Sequence, residues 1–232
     1  MILIDIYKKI KYFFYFILFL NICILNIIYY KCSSKINLNL IYFLHFSINL
    51  NGSILIKIVQ WINTNLELLN IENKNIIYNI FSSFYENCNI HDLNYTKKIF
   101  NKEFINDFDK VIKLDKNFQI KSGSIAQVYK AEFENLSIAL KVVHPDIKYQ
   151  FIYPILFIKF YKYLVNKISF LNKYDTIFIF DKFFENLFIQ ANMNNEYNNM
   201  KYFYQEYIDN NHIIIPKPII STKNILIMEY IE

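Results

Sequence analysis

The sequence predicts an α+β fold in which a helical N-terminal part precedes an antiparallel sheet of about five strands. Apolar residues recur at helical spacing through most of residues 36–116 and again through residues 149–211. Between these regions, and at the C-terminal end, short apolar or alternating runs are typical of strands. The predicted strands are residues 118–120, 126–133, 137–143, 219–221 and 225–229.

Residues 121–143, KSGSIAQVYKAEFENLSIALKVV, predict strand, small-residue loop, strand, turn at 134–135, and strand. The small residues at 122–124 leave room for a phosphate to approach backbone N–H groups. Lys141 stands in an otherwise apolar strand, where a buried ammonium needs an anionic partner. Gly123 is one of two glycines in the chain, which predicts a position where nothing larger fits. These features predict a nucleotide-phosphate site, and an ordinary hairpin with a lysine that reaches solvent is the alternative.

Composition argues against several other functions. All 25 basic residues are lysines, the net charge is +5, and the chain has no dense basic run. Arginine, the commonest base-reading side chain, is absent, so nucleic acid is not a predicted partner. The cysteines Cys23, Cys32 and Cys88 are scattered and odd in number, and the four histidines lack ligand spacing. Neither a disulfide framework nor a Cys/His metal site is predicted.

Residues 1–35 form a separate hydrophobic segment. No charged residue occurs from Tyr12 to Tyr30, a run long enough for a helix to span a hydrocarbon core. Lysines flank the run in nearly equal number, so its orientation is not predicted. A transmembrane anchor, an uncleaved signal anchor and a targeting sequence all fit this segment. A buried hydrophobic helix is the alternative.

The order of these parts resembles the UbiB/ADCK (Abc1) family of atypical kinases. Residues 122–131, SGSIAQVYKA, are similar to the family's V-A-S-I-A-Q-V-[HY]-x-A, and residues 138–145, IALKVVHP, to its V-A-[VL]-K-V-x-x-P. Residues 52–60, GSILIKIVQ, resemble G-P-x-x-x-K-x-G-Q, and residues 192–199, NMNNEYNN, resemble D-[LF]-x-x-E-A-x-N. Residues 216–229 resemble the segment that runs from a proline to V-L-V-M-E.

The resemblance implies an ATP site. Lys141 would pair with the nucleotide phosphates, and Glu196, on an αC-like helix, would be its salt-bridge partner. Met228 would lie near the gatekeeper position, and the segment from Glu229 to Ile231 would be the hinge that binds adenine. The loop residues that would cover the phosphates are Gly123, Ser124, Ile125, Ala126 and Gln127.

The resemblance also implies an extension motif that folds over the active site. Lys57 and Gln60 match the lysine and the glutamine of that motif. Val59 stands where the family has glycine, so a close backbone approach at this position is not expected.

The same resemblance predicts what the chain lacks. A kinase takes its catalytic Asp and its metal-binding Asn and Asp from the second lobe, and the sequence contains no D-x-H-P-G-N segment. We therefore expect no catalytic residue and no metal ligand in this chain, with Mg²⁺ bound only when a C-lobe is present. The predicted domains are a membrane-anchor or targeting segment (1–35), a helical extension (36–116) and a kinase-like N-lobe truncated at the hinge (117–232).

The implied function is that of the N-terminal part of a membrane-associated atypical kinase or ATPase. The family resemblance implies a role in ubiquinone biosynthesis or lipid homeostasis, in the mitochondrion or alternatively in a plastid-type organelle. The implied partners are a nucleotide, membrane lipid and proteins of ubiquinone biosynthesis. One alternative is a non-catalytic, pseudokinase-type module that binds a nucleotide or a partner. Another is a membrane or interaction protein whose kinase-like patch is coincidental, which a structure without a sheet around residues 120–143 would favour.

Overall fold

The fold is seen in a computed structural model that describes residues 2–64, 74–86, 88–167 and 177–231. Its helices are α1 (Ile2–Ser33), α2 (Leu38–Asn51), α3 (Ser53–Thr64), α4 (Lys74–Glu86), α5 (Leu93–Phe104), α6 (Phe108–Val111), α7 (Ile147–Gln150), α8 (Ile152–Lys167), α9 (Ile177–Gln190) and α10 (Met193–Glu206). Its strands are β1 (Ile112–Leu114), β2 (Lys121–Ser122), β3 (Ala126–Phe133), β4 (Leu136–Val143), β5 (Pro218–Ser221) and β6 (Ile225–Glu229).

The chain divides into two compact units. Unit 1 comprises Met1–Cys88 and Asp146–Lys182, and unit 2 comprises Asn89–Pro145 and Phe183–Glu232. In the described residues, unit 1 contains α1 to α4, α7 and α8, whereas unit 2 contains the sheet with α5, α6 and α10. The boundary between the units falls within α9.

Helix α1 coincides with the hydrophobic segment of the sequence. Among the described residues it is the helix long and apolar enough to cross a membrane. Length and composition do not separate such a helix from a signal sequence or from a buried core helix. Tyr12, Phe16 and Ile22 are buried within unit 1, and many of the other apolar side chains of α1 are exposed.

A glycine makes the junction between α2 and α3. Gly52 has φ 82° and ψ −147°, and its N–H donates to Ile48 O at 3.0 Å. Helix α3 begins at once with Ser53, whose N–H donates to Gln150 Oε1 at 2.8 Å. A Cβ at position 52 would lie 2.4 Å from the same Gln150 oxygen. The backbone conformation therefore favours glycine here, and a Cβ would also displace the Gln150 side chain from Ser53.

The sheet of unit 2 confirms the predicted fold class. Its strands pair in the order β1-β3-β4-β6-β5, with β2 also paired to β3, and every pairing is antiparallel. Strands β3 and β6 have the predicted bounds, and β4 and β5 each begin one residue earlier than predicted. The sheet includes residues 121–122, 126–133 and 136–143, so the interpretation of the kinase-like patch as coincidence is not supported.

The predicted strand at residues 118–120 is wrong, because this stretch follows a turn that Asp115 stabilises. Asp115 Oδ1 accepts a hydrogen bond from Asn117 N at 2.9 Å, and Asp115 O accepts one from Phe118 N at 3.3 Å. Short polar side chains of this kind favour turns over strand pairing. The edge strand is instead β1, within a stretch that was predicted to be helical.

The turn between β3 and β4 has the predicted position. Glu134 and Asn135 have φ values of 49° and 64°, and Phe133 pairs with Leu136 on either side of them. Two consecutive residues with positive φ are typical of a type I′ turn, which matches the twist of a hairpin. This two-residue loop fixes the register of the whole β3–β4 ladder.

The sheet presents two different faces, because successive side chains of a strand point to opposite sides. One face forms the core of unit 2, which consists of Phe100, Phe108, Ile112, Tyr129, Ala131, Ile138, Leu140, Val142, Ile225 and Ile227. Val128 lies opposite Lys141, and Ala139 lies opposite Met228. These four residues alternate with core residues and therefore occupy the second face, which we call the Lys141 face.

Candidate functional site

Lys141 on β4 forms an ion pair with Glu196 on α10. The Nζ atom lies 2.6 Å from Oε1 and 2.9 Å from Oε2, so the ammonium contacts both carboxylate oxygens. The side chains are 25% and 32% exposed, respectively, so solvent and ligands can reach the pair. The pairing of these two residues, implied by the family resemblance, is present in the structure.

The start of α10 holds Glu196 in place. Asn192 caps the helix, with its Oδ1 accepting from Asn194 N at 3.2 Å. Met193 is fully buried, and its N–H donates to Lys223 O at 3.0 Å. Glu196 lies in the first turn, where the helix dipole stabilises a carboxylate. The Asn192 cap, the burial of Met193 and its backbone hydrogen bond therefore hold the first turn of α10, and with it Glu196, beside Lys141.

A second carboxylate, Glu103 on α5, holds the turn between β5 and β6. It accepts hydrogen bonds from the Thr222 hydroxyl, from Asn224 N at 3.4 Å, and from the Asn224 side-chain amide. Lys223 lies in the same turn and bonds to Met193 at the start of α10. Glu103 therefore supports the helix that carries the ion pair. The sequence carried no signal for this contact, because the partners are about half the chain apart.

The small-residue loop closes on itself beside β4. The N–H of Gly123 donates to Ala126 O at 3.0 Å, and the side chains of Ser124, Ile125 and Ala126 are buried. Gly123 is not among the residues with left-handed φ. A Cβ there would meet its nearest neighbour, Ala126 O, at 3.6 Å, an ordinary contact distance. The expectation that only glycine fits at position 123 is therefore wrong.

We expect Gly123→Ala to change the free energy of unfolding by less than about 0.5 kcal/mol, as is usual where a substitution creates no clash or strain. Chemical denaturation of both proteins, followed by far-UV circular dichroism, measures this difference. A loss of more than about 1 kcal/mol would show that the loop backbone needs a conformation reserved for glycine.

Gln127 does not share the face of Lys141. It lies opposite Val142, one position along from the Val128–Lys141 pair, so its side chain points to the core side of the sheet. That side chain is fully buried. Its Oε1 accepts from His91 N at 2.8 Å, and its Nε2 donates to His91 O at 3.2 Å. The side chain of Gln127 thus holds the segment before α5 rather than covering the Lys141 face.

The residue at the gatekeeper position, Met228, and the hinge residues Glu229 and Ile231 differ in their surroundings. Met228 lies on the Lys141 face. Glu229 is exposed and binds Lys217, with Glu229 N donating to Lys217 O at 2.9 Å and Glu229 Oε2 accepting from Lys217 N at 3.2 Å. Ile231 is 38% exposed at the end of the described chain. Of these three side chains, only that of Met228 shares the sheet face of Lys141.

The extension-motif residues lie in unit 1, on α3. Gln60 ties α3 to α4, because its Nε2 donates to Phe84 O at 2.6 Å and its backbone O accepts from Tyr85 Oη at 3.0 Å. Lys57 lies one turn earlier on the same helix and is half-buried. Gln60 therefore has a structural contact within unit 1.

Two histidines lie beside the loop, and sequence reasoning did not pair them. His91 Nδ1 lies 2.8 Å from His144 Nδ1, and His144 Nε2 lies 2.9 Å from Gly123 O. Burial lowers the pKa of His144. Burial, with a smaller contribution from His144, lowers the pKa of His91 to about 3. His91 and His144 are 53 positions apart in the chain, and this spacing does not predict a contact between them.

The Lys141 face presents a cationic side chain that can attract an anion. It offers a half-buried ammonium, already oriented by a carboxylate, next to a loop of small residues. Across the residues that the structure describes, no group of three or more His, Cys, Asp or Glu side chains is placed to hold a metal ion.

Comparison with known proteins gives one family and one fold. A sequence model of the ABC1 atypical kinase-like domain matches residues 83–232. Seven chains of solved structures match this chain. One is the complex of Rv3197 with erythromycin from Mycobacterium tuberculosis, with a TM-score of 0.50, 19% identity, and coverage of 61% of this chain and 36% of that chain. At this identity the likeness shows the fold alone, and the match spans about a third of that protein. Among curated proteins, none matches the chain.

Proposed function

Because this chain belongs to the ABC1 atypical kinase-like family, we propose that unit 2 is a kinase-like N-lobe that binds ATP on its Lys141 face. The observation that carries this proposal is the ion pair between Lys141 and Glu196. It holds a half-buried ammonium on the face of the sheet opposite to the core of unit 2. A charged lysine in that position can hold a phosphate through charge-assisted hydrogen bonds.

Lys141 would bind the phosphates, and Glu196 would orient it. The ammonium makes two contacts with the Glu196 carboxylate, and an ammonium has a further N–H donor available beyond two. Glu196 restricts the flexible side chain of Lys141. This restriction lowers the conformational-entropy cost of ordering that side chain when a ligand binds. The pair thus keeps the charge in place before the nucleotide arrives.

The small-residue loop would contribute backbone donors. The N–H of Gly123 is already bonded to Ala126 O. Within the described part of the chain, no group accepts a hydrogen bond from the N–H of Ser124 or Ile125. Successive backbone N–H groups in a turn are a recurrent anion site. We therefore assign Ser124 and Ile125 to the phosphates.

Adenine would lie against the apolar part of the Lys141 face. Ala139 and Met228 are direct cross-strand neighbours on this face. Together they offer a small and a flexible apolar side chain for a flat ring. The hinge that follows, from Glu229 to Ile231, is proposed to bind the base through its backbone.

For the protein as a whole, we propose a membrane-associated role in ubiquinone biosynthesis or lipid homeostasis, in the mitochondrion. The role comes from the family resemblance, and the long apolar helix α1 is the feature that favours membrane association. Phosphoryl transfer needs a catalytic Asp and Mg²⁺ ligands, which kinases take from a second lobe. The residues of this chain are therefore proposed to bind the nucleotide, while transfer depends on such a lobe.

Calorimetric titration of the purified chain with ATP, and separately with adenosine, tests this proposal. We expect saturable binding of ATP and at least about tenfold weaker binding of adenosine, which lacks the groups that Lys141 holds. If adenosine bound as tightly as ATP, the phosphates would not contact Lys141. The absence of ATP binding up to millimolar concentration would contradict nucleotide binding by this chain altogether.

A further inference from the structure

A continuous chain of hydrogen bonds runs from the small-residue loop into the core of unit 2. It begins at the carbonyl of Gly123, which lies 2.9 Å from His144 Nε2. His144 Nδ1 faces His91 Nδ1 at 2.8 Å, and His91 Nε2 faces Thr96 Oγ1 at 2.9 Å. Thr96 Oγ1 then faces Tyr129 Oη at 2.9 Å. Each ring nitrogen of both histidines therefore has a polar partner.

The direction of this chain is set at the loop end. A carbonyl oxygen only accepts hydrogen bonds, so His144 Nε2 carries a proton that it donates to Gly123 O. Ser122 Oγ also lies 3.3 Å from this nitrogen, but the hydroxyl donates its own proton to Asn89 O. In a neutral ring, Nδ1 of His144 is then an acceptor, and His91 must donate to it from its own Nδ1. His91 Nε2 is left as an acceptor for the hydroxyl of Thr96.

The far end of the chain is consistent with the same direction. The backbone of His91 fixes the amide of Gln127, because His91 N–H donates to Oε1 and His91 O accepts from Nε2. The same Nε2 therefore also donates to Tyr129 Oη. Tyr129 can then donate to Thr96, and Thr96 to His91. Both ends agree on one arrangement of protons, in which the two histidines are neutral.

We propose that His144 is a positioning residue of the nucleotide site: it holds the Gly123 carbonyl through Nε2–H, and His91 sets the tautomer that makes this possible. This role rests on the proposed binding of ATP by unit 2. The structure contains no cis peptide bond among its described residues. In a trans peptide the carbonyl and the next N–H point in opposite directions. By fixing the Gly123 carbonyl, His144 therefore turns the Ser124 N–H away from itself and holds it ready to donate.

Acid should disrupt the contact between the two histidines, because a proton added to His144 Nδ1 would face the N–H of His91 Nδ1. Burial is the largest cause that lowers the pKa of both histidines from the usual 6.5. Asp92, at the start of α5, opposes the shift for His91. The ring of Tyr95 packs edge-on against the ring of His91. Because the folded-state pKa values lie below those of the unfolded chain, the stabilisation is complete above pH 6.5 and is lost as the pH falls towards the folded-state values.

The first test reads the tautomers directly in the full chain, without a nucleotide. Long-range ¹⁵N–¹H spectra of the histidine-labelled protein distinguish a ring protonated on Nε2 from one protonated on Nδ1. At neutral pH we expect His144 to be neutral with its proton on Nε2, and His91 to be neutral with its proton on Nδ1. A charged ring at either position, or His144 protonated on Nδ1 alone, overturns the proposal.

The second test uses a conservative rescue. Gln at position 144 retains an N–H donor at a similar distance from Cα but does not titrate, whereas Leu has no donor. We expect His144→Leu to speed amide hydrogen exchange of the loop at residues 123–126 and to weaken ATP binding by about five- to tenfold. His144→Gln should keep both near wild type, and the protection of the loop relative to the unfolded chain should lose its acid dependence. His212→Leu, at an exposed histidine in the same unit, is the matched control.

The outcomes separate the two proposals. Loop exchange in His144→Leu equal to that of the control overturns the positioning role, even if the wild-type chain binds ATP. A loop response in a wild-type chain that binds no ATP contradicts the proposed function and, with it, the role of His144 in a nucleotide site. An acid dependence of loop protection in His144→Gln equal to that of wild type also overturns the inference.

Discussion

Replacement of Lys141 by Met is expected to weaken ATP binding by at least about tenfold, and by up to about a hundredfold. Hydrogen bonds to charged groups contribute roughly 1.5–3 kcal/mol each, and the ammonium of Lys141 is the charged donor that we assign to the phosphates. The side chain of Met retains most of the aliphatic length of lysine. The fold should persist, because the Lys141–Glu196 pair is partly exposed and contributes at most about 1 kcal/mol to stability.

Calorimetry with ATP measures the effect, and Lys98→Met is the matched control. Lys98 is an exposed lysine on α5, the helix whose Phe100 belongs to the core of unit 2, so its loss changes the net charge equally without changing the Lys141 face. We expect the control to bind ATP with wild-type affinity. If Lys141→Met bound ATP with the same affinity as wild type, Lys141 would not be part of the nucleotide site.

Gly52→Ala is expected to destabilise unit 1 by about 2–4 kcal/mol. Its φ of 82° and ψ of −147° lie near a region that is essentially restricted to glycine, at a cost of roughly 1–3 kcal/mol for another residue. The new Cβ would also displace the Gln150 amide, which it would approach to 2.4 Å. The N–H of buried Ser53 would then lose its acceptor, at a further cost of roughly 1–3 kcal/mol.

Fluorescence of Trp61 during denaturation reports this loss directly. Trp61 is the one tryptophan of the chain and lies on α3, the helix that begins immediately after Gly52. Gly123→Ala is the internal control, because the same chemical change there meets no clash. If the two alanine variants lost the same stability by this probe, the strained junction at Gly52 would not exist in solution.

The central hairpin was predictable because several local signals agree. Residues 126–133 and 136–143 carry strand patterns, and the turn between them falls at Glu134 and Asn135 as predicted. The single lysine of β4 stood out because an apolar strand does not tolerate an unpaired charge. Glu196 was different: its position in an Asn-rich segment gave no local signal, and only the family resemblance identified it as the partner of Lys141.

The face on which Gln127 lies could have been read from the sequence but was not. A two-residue turn at 134–135 pairs residues symmetrically on either side, so Val128 must oppose Lys141 and Gln127 must oppose Val142. The side-chain period of two then sends Gln127 to the core face. The motif resemblance grouped residues 123–127 as one covering loop, although the strand has already begun at residue 126.

Other features had no signal in a single sequence. The contacts of His91 with His144, and of Glu103 with the turn at 222–224, join residues far apart in the chain. Their formation depends on tertiary packing, which periodicity does not encode. The chain has only two glycines, which suggested that each stands where no larger residue fits. That interpretation is wrong at position 123, where the loop accepts a Cβ, and it holds at position 52.

The most direct measurement is a double-mutant cycle for ATP binding with Lys141→Met, Glu196→Gln and the double variant. Because Glu196 is proposed to act by orienting Lys141, its substitution should weaken binding in the wild-type background and have no further effect once Lys141 is absent. We predict that the double variant binds ATP as Lys141→Met does, within about twofold. If the two single effects instead multiply, Lys141 and Glu196 act independently, and the ion pair is not the basis of the nucleotide site.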